Sequence, residues 1–220
     1  TYLGGNAAPN GAYAIALDTA GNSFVTGVTG GALDGQTSAG GADAFLTKFS
    51  PTGVKLWTRQ WGTASEDIDR GVAVTTDGAV YVTGSTAGAL EGQTLVGALD
   101  IFLTKFNTDG DKLWTVQWGS AQSDRGHGVA VDGTGFVYVP GETYGAMEGQ
   151  TAFGGPDLFL TRLDATGARL WTRVWGTSSG DEGRSVTVDA SGNAYVAGTS
   201  VSDSEIKACL RSYSNTGSHR

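Results

Sequence analysis

The sequence predicts an all-β protein, a β-propeller made of four-stranded blades that each occupy one 57-residue repeat. The first observation is a strict period, because a Trp-Gly pair recurs at Trp61-Gly62, Trp118-Gly119 and Trp175-Gly176. The second is that each repeat contains short β-branched and aromatic runs separated by Gly, Asp and Asn. A period of this size is typical of solenoids, propellers and arrays. Four antiparallel strands per repeat favour the propeller.

The second repeat shows the expected order of elements. Strands are predicted at Gly71–Val74, Ala79–Thr83, Asp100–Phe106 and Lys112–Trp118. Tight turns are predicted at Thr75–Gly78 and Asn107–Gly110, and a long glycine-rich loop at Gly84–Leu99. The runs carry the residue types that strands prefer and the turns carry Gly, Asp and Asn. No window combines a helical period with capping residues.

The chain is expected to be one domain, 1–220, with blades at about 6–61, 62–118, 119–175 and 176–220. The fourth repeat departs after Gly198, and its next segment is shorter by seven residues. Residues 1–5 match the end of a fourth strand, so we expect them to complete the last blade. Closing the ring would remove exposed sheet edges. A four-bladed ring, an eight-bladed ring of two chains and a part of a longer array all remain open.

Composition narrows the classes of partner. The net charge is -8 and the acids are dispersed, which disfavours nucleic acid and anionic membranes as partners. No apolar stretch approaches the ~18 residues of a membrane span, so membrane insertion is not expected. Cys209 is the single cysteine, which excludes an intrachain disulfide and a cysteine-based metal cluster. Glycine is abundant at 36 residues and proline scarce at 4, a pattern that indicates many tight turns.

An enzyme is not expected. Catalysis needs different groups that converge on one point, and a repeat supplies the same groups several times. The sequence has two histidines, His127 and His219, and none of the common nucleophile, metalloprotease or phosphate-loop motifs.

Topology places candidate binding residues on the side of the long loops, where functional residues concentrate. Gly-Gln-Thr recurs in each long loop and offers an amide and a hydroxyl to a ligand, through Gln36, Thr37, Gln93, Thr94, Gln150 and Thr151. The alternative, which we favour, is that the Gly supplies a positive φ while Gln and Thr hold the loop.

Repeated acids on the same side are candidate oxygen ligands for Ca²⁺. They begin third strands at Asp43, Asp100 and Asp157, and they precede first strands at Asp67, Asp124 and Asp181. Further acids, Asp34, Glu91 and Glu148, precede Gly-Gln-Thr. Calcium takes six to eight oxygens. The alternative is that these side chains close Asx turns and bond loop backbone groups. No cofactor is otherwise expected.

Two further series repeat. Trp57 and Trp61 point to one face of a strand, as do Trp114 and Trp118 and also Trp171 and Trp175, and we expect packing between blades rather than sugar stacking. Arg70, His127 and Arg184 share one register, with Tyr13 in the first repeat. An anion site is one interpretation of this register, and a salt bridge to the neighbouring Asp is the one that we favour.

The repeats resemble the bacterial beta-propeller repeat called SBBP. The resemblance lies in Ala14–Asp18, Gly21-Asn22, Phe24–Gly27 and Asp43–Lys48. A more distant likeness to quinoprotein blades lies in Asp164–Trp171. The SBBP resemblance implies a propeller fold and a secreted or cell-surface protein whose signal peptide has been removed.

We therefore expect a non-catalytic extracellular propeller that serves as a binding or adhesion scaffold for a protein or glycan on its long-loop side. The alternative is a structural subunit that self-associates into a filament or surface layer, through strand exchange or blade stacking. A third hypothesis is a lectin with one sugar site per blade.

Overall fold

The computed structural model describes residues 10–202 and 205–219. In this part of the chain the protein is all-β, with sixteen strands and no helix. Within the same ranges, no segment therefore forms a helix long and apolar enough to span a membrane. The all-β prediction is confirmed.

The first two sheets each take one repeat. The first sheet has the order β1 (Asn10–Leu17), β2 (Ser23–Thr29), β3 (Asp43–Phe49) and β4 (Lys55–Trp61). The second sheet has the order β5 (Asp67–Val74), β6 (Val80–Thr86), β7 (Asp100–Phe106) and β8 (Lys112–Trp118). The ladders β1–β2, β2–β3, β3–β4 and β5–β6 are antiparallel and join strands that follow one another in the chain. The predicted four-stranded unit is therefore present.

The third sheet has an interrupted first strand. Its strands are β9 (Asp124–Gly126), β10 (Ala130–Val131), β11 (Val137–Thr143), β12 (Asp157–Leu163) and β13 (Arg169–Trp175). Both β9 and β10 pair with β11, so residues 127–129 leave the ladder between them. The two short strands together take the place of β1 and β5.

The fourth sheet is different again. It consists of β14 (Asp181–Val188), β15 (Ala194–Ser202) and β16 (Glu205–Tyr213). Ser202 pairs with Glu205, so β15 and β16 follow each other without the long loop of the other repeats, in line with the shorter segment of the fourth repeat. Tyr213, the last residue of β16, forms a β-bridge with His219. The predicted closing strand at 1–5 lies outside the described residues, and ring closure stays a prediction.

The chain divides into two compact units. The first comprises residues up to Leu95 together with Phe102–Gln117, and the second comprises Val96–Ile101 together with residues from Trp118 onward. The first unit has an apolar core around Phe24, Leu46 and Phe102. The second has a separate core, which includes Tyr138, Leu160 and Val196.

Tryptophans at the ends of fourth strands join consecutive sheets. The ring centroid of Trp61 lies 5.0 Å from that of Phe106, in the first unit. The centroid of Trp175 lies 5.0 Å from that of Tyr213, in the second. Aromatic pairs at this separation attract each other beyond their burial. The packing interpretation of these two tryptophans is confirmed.

Each first strand departs from a regular ladder at the same position. Register shifts fall between Ala12 and Ala14, between Asp69 and Gly71, and between Gly183 and Ser185. The residues skipped are Tyr13, Arg70 and Arg184, and in the third sheet His127 occupies this place in the interruption. We call these four residues the bulge residues. A bulge re-aims the side chain that it carries.

A glycine of the second strand faces each bulge. A Cβ atom added at Gly27, Gly84, Gly141 or Gly198 would overlap the backbone carbonyl of the residue two places before the bulge residue. Only glycine allows two backbones to approach this closely. A glycine therefore allows the same backbone geometry at the bulge in all four repeats, whereas the bulge residue differs between repeats.

Candidate functional site

The long loops between second and third strands contain one tight turn that occurs three times. In each, the fourth residue donates its backbone N–H to the carbonyl of the first, within Leu33–Gln36, Leu90–Gln93 and Met147–Gln150. Both central residues have positive φ, 52° and 75° for Asp34 and Gly35. This is the geometry of a type I′ turn. We call these three turns the loop turns. The prediction that their Gly takes a positive φ is confirmed in all three.

The first residue of each loop turn anchors it to the sheet. Leu33, Leu90 and Met147 are buried. In the first loop turn, Gln60 of β4 accepts a bond from the Leu33 N–H at 2.9 Å and donates to the Gly31 carbonyl at 3.2 Å. Gln117 of β8 repeats both bonds for the second. The first two loop turns are thus fixed to their own sheets by burial and by hydrogen bonds, and the third by the burial of Met147, since Val174 replaces the glutamine there.

The acid of each loop turn is paired with a cation of the fourth strand. Asp34 pairs with Lys55, and Glu91 pairs with Lys112. In the third loop turn Arg169 Nε lies 2.6 Å from Glu148 Oε1. These carboxylates, considered above as calcium ligands, already bind side chains of their own repeat.

The predicted Gln-Thr ligand pairs lie at the end of each loop turn, where the Gln is the fourth residue of the turn and the Thr comes next. The glutamines Gln36, Gln93 and Gln150 are half-buried, and the threonines Thr37, Thr94 and Thr151 are exposed. Gln93 Oε1 accepts the backbone N–H of Gln117 at 3.3 Å, which holds the loop as expected. Each loop carries its own pair, and a ligand role for these residues stays a prediction.

The six aspartates predicted as metal ligands lie in three buried pairs. Within each pair, one Asp starts a third strand and the other starts the next first strand. The pairs, which we call aspartate pairs, are Asp43 with Asp67, Asp100 with Asp124, and Asp157 with Asp181. They flank Gly62, Gly119 and Gly176, where a Cβ atom would collide with both carboxylates.

The first aspartate pair shows how these carboxylates are used. Asp43 Oδ2 accepts the Ala39 N–H at 2.9 Å and Gln60 Nε2 at 2.6 Å. Asp67 Oδ2 accepts the Thr63 N–H at 2.6 Å, and Thr86 donates to Asp67 Oδ1. Burial raises the pKa of Asp67, and the nearby Asp43 carboxylate raises it further.

The other two aspartate pairs bond the same loop positions. Asp124 and Asp181 accept the backbone N–H of Ser120 and Thr177, each at 2.6 Å. Asp157 accepts the N–H of Phe153 at 2.6 Å. Burial is the main cause that raises the pKa of Asp124 and of Asp157. The interpretation that these aspartates bond loop backbone groups is therefore confirmed.

Calcium at the aspartate pairs stays a prediction. Two carboxylates offer four oxygens, whereas Ca²⁺ takes six to eight. Asp43 Oδ1 and Asp157 Oδ1 are buried and have no hydrogen-bond partner, so they are the oxygens most available to a cation. Binding through Asp67 would exchange its bonds to Thr63 and Thr86.

A different set of side chains converges in the second unit. Ligand atoms of His127, Glu142 and Glu182 all lie within 4.8 Å of one another. His127 Nε2 is 4.0 Å from Glu142 Oε1 and 3.9 Å from Glu182 Oε2. The three side chains are 11%, 10% and 22% exposed. We call this set the His127 cluster.

Glu142 and Glu182 were not predicted from the sequence as site residues. The salt bridge to the neighbouring Asp that we favoured for Arg70, His127 and Arg184 is wrong for His127 and Arg184, whose sequence neighbours Asp124 and Asp181 are not their ion-pair partners. His127 faces two glutamates, and Arg184 pairs with Glu182. Arg70 lies over the ring of Tyr13, with 5.8 Å between its guanidinium carbon and the ring centroid. A signal was available, because Glu142 stands where the second repeat has Ser85, and Glu182 where the third has Arg125.

Comparison with known proteins identifies the repeat. Residues 113–146 and 170–204 match the family model of the SBBP beta-propeller repeat. Two segments of the chain are therefore similar to SBBP beta-propeller repeats. Both matched segments begin in the fourth strand of one sheet and end beyond the second strand of the next. The resemblance inferred from the sequence is thereby confirmed.

A relative with a curated name is the Regulatory protein FlaEY of Caulobacter vibrioides. It is 27% identical to this chain over 201 residues, which cover 84% of this chain and 20% of the relative. The chain therefore spans about a fifth of the length of that relative. The regulatory role in the name is that of the relative.

Proposed function

We propose that this SBBP propeller chain is a non-catalytic, extracellular binding scaffold whose long loops contact a protein or glycan ligand. The observation that supports it best is the loop turn. The same buried anchor, type I′ turn and ion pair occur three times, so each loop is held at a fixed place on its sheet. Binding residues commonly lie on loops that a rigid scaffold positions.

The exposed residues beside the loop turns differ from loop to loop. Four residues before each third-strand Asp stand Ala39, Val96 and Phe153. Val96 is 55% exposed and Phe153 is 51% exposed. Their backbone N–H groups bind the aspartate side chains, so the backbone is fixed while the side chain points outward. A fixed backbone that carries variable exposed apolar groups favours recognition over a purely structural role.

The proposal is tested by probing the purified chain against glycan arrays and arrays of extracellular protein domains, with and without Ca²⁺. Phe153→Asp and Val96→Asp are expected to weaken any binding at least tenfold. Leu113→Asp is the matched control, because Leu113 is 53% exposed but lies in β8. Silence on all arrays, or an equal loss in the control, would contradict the proposal. For the lectin hypothesis we expect three or four sugars per chain, and a single site would exclude it.

Assembly with other blades is a second candidate, supported by two exposed sheet faces. Ile15 and Leu17 of β1 are 66% and 64% exposed. In the second sheet the same positions are Val72 and Val74, which pack against the core of the first unit. Leu210 of β16 is 72% exposed, whereas Leu160 at the matching place in β12 is fully buried. The matching positions are thus packed within the other sheets, which supports the packing of a further blade against each exposed face.

Size-exclusion chromatography followed by light scattering measures the mass of the particle in solution and so tests assembly. For the assembly candidate we expect multiples of the chain mass, which Ile15→Asp reduces to the single chain. Val54→Asp, at a residue 59% exposed, is the control and is expected to leave the mass unchanged. A single-chain mass at all concentrations would exclude assembly and leave the binding proposal in place.

A further inference from the structure

We propose that the His127 cluster is a binding site for a divalent transition-metal ion of the zinc type. Three protein ligands, one imidazole and two carboxylates, suit Zn²⁺ in a site whose fourth position is open to water. The site is independent of the long loops, so its failure would leave the proposed function untouched.

The geometry of the cluster is close to that of such a site. Zinc bonds of ~2.0–2.2 Å place neighbouring donor atoms about 3.3 Å apart in a tetrahedron. Here Nε2 of His127 is 3.9 Å from one glutamate oxygen and 4.0 Å from the other. The donors need to move inward by roughly 1 Å, and side-chain rotation of two glutamates provides this.

The backbone presents His127 to the cluster. His127 stands in the interruption between β9 and β10, where the other sheets have a bulge. Its backbone N–H still donates to the Pro140 carbonyl at 3.0 Å, so the residue is held although it has left the regular ladder. Bulges are frequent beside binding and active sites because they re-aim a side chain.

Neighbouring groups hold the two carboxylates in place. Arg125 Nη1 donates to Glu142 Oε1 at 2.7 Å. Arg184 and Thr199 donate to Glu182 Oε1, which leaves Oε2 as the oxygen that faces His127. Partners of this kind orient metal-binding carboxylates and are worth about 10–100-fold in affinity. The two arginines also balance the charge of the two glutamates, so we expect micromolar rather than nanomolar binding.

The cluster departs from the repeat at all three of its positions. The bulge position holds Tyr13, Arg70 or Arg184 in the other repeats. The place of Glu142 holds Val28, Ser85 or Thr199, and that of Glu182 holds Gly11, Ile68 or Arg125. Three ligand residues thus occur together at one junction and at no equivalent place in the chain. The general repeat explains none of them.

The ligands come from two sheets of the same unit. His127 and Glu142 belong to the third sheet, and Glu182 belongs to β14 of the fourth. A bound ion would cross-link the two sheets. The fourth sheet has three described strands, so it gains most from such a link.

Isothermal titration of the intact chain with Zn²⁺ tests the site. One equivalent is expected to bind, and His127→Ala is expected to lower the affinity at least tenfold. His219→Ala is the matched control, since the chain has two histidines and His219 packs against Tyr213. Ca²⁺ and Mg²⁺ are expected not to compete. Absence of Zn²⁺ binding, or equal loss in the two histidine variants, would overturn the proposal.

A second readout separates ligand loss from misfolding. Glu142→Gln and Glu182→Gln keep the side-chain volume, and each is expected to weaken Zn²⁺ binding at least tenfold. Zn²⁺ is expected to raise the melting temperature of the wild-type chain and of His219→Ala, but not that of His127→Ala, because an ion that binds only the folded state stabilises it. A Zn²⁺-dependent rise that persists in His127→Ala would also overturn the proposal.

Discussion

The loop turns and the bulges lie in the same repeats, but they differ in what is repeated. At the loop turns the side chains recur together with the backbone, from the buried anchor to the ion pair. At the bulges only the backbone recurs, since the same glycine faces Tyr13, Arg70, His127 and Arg184. The repeat therefore keeps the backbone geometry the same at both places, and only the bulge carries a different side chain from repeat to repeat. This is why the one mixed cluster of histidine and acids among the described residues lies there.

The largest expected effect comes from removing the shared backbone of the bulge. Gly84→Ala places a Cβ against the Ile68 carbonyl, a contact that no side-chain rotation relieves. We expect a loss of about 3 kcal/mol or more in the free energy of unfolding. Urea denaturation measures it. Gly133→Ala is the control, because nothing lies within 4 Å of a Cβ atom added there. An equal loss in the control would show that the close contact at the bulge is not what stabilises the fold.

The next effect concerns the anchor of the loop turn. Leu90 is 1% exposed, and Leu90→Ala leaves a cavity beneath the second loop turn. The expected cost is about 2–3 kcal/mol in unfolding free energy. Leu113→Ala, at an exposed residue, is expected to cost less than about 0.5 kcal/mol. Similar values for both variants would show that the loop turn is not held by its anchor.

Asp69 tests how far individual residues near the bulge affect stability. It shares a register with Gly126 and Gly183 and is fully buried. Burial raises the pKa of this carboxyl well above its ordinary value, against the hydrogen bond from Thr26. The stability contributed by neutral Asp69 is therefore complete below the unfolded-state pKa of about 3.9, and it is lost as the pH rises through the folded-state pKa.

Asp69→Asn stays neutral at every pH. The variant should therefore have a higher free energy of unfolding than the wild type only at a pH above the unfolded-state pKa of Asp69, where keeping Asp69 protonated or ionising it costs free energy. Relative to the wild type, we expect equal stability near pH 3 and a gain at pH 8, because the raised pKa of Asp69 makes the wild type lose stability as the pH rises. Urea titrations at both pH values measure it. Asp109→Asn, at an exposed turn residue, is the control. A gain that is the same at both pH values would exclude ionisation of Asp69 as its cause.

The smallest expected effect concerns the ion pair of the loop turn. Lys55 and Asp34 are 32% and 17% exposed in their side chains, so solvent screens much of their attraction. Lys55→Met is expected to lower the unfolding free energy by less than about 1 kcal/mol, with a smaller loss at high salt. A larger loss would mean that the pair, rather than the buried anchor, holds the loop turn.

The local part of the fold was predictable from the sequence. Period-2 runs and Gly/Asp turns are local signals, and they located strands such as Asp100–Phe106 and the positive φ of Gly92. The positive φ of Glu91 was not predicted, because a bulky residue rarely takes it. The aspartates were named from their repetition, but their pairing across Gly62 depends on how one strand follows another in space.

The His127 cluster was not predictable from one repeat. Glu142 lies 15 positions after His127 in the sequence and Glu182 lies 55 after it, on a different sheet. Only the bulge geometry brings the three together. The useful signal is that all three residues depart from the repeat, because the residues shared between repeats do not mark the cluster.

The order of strands within the sheets has a consequence for synthesis. Apart from the β9–β11 pairing across the interruption, every described sheet joins strands that are consecutive in the chain, so its ladders are complete once its own repeat has been made. Ribosomes add about 5–20 residues per second, so a repeat takes roughly 3–11 s to emerge. Hairpins form in microseconds, far faster than that. We therefore expect each sheet to assemble during translation before the next repeat appears, which limits mispairing between near-identical repeats.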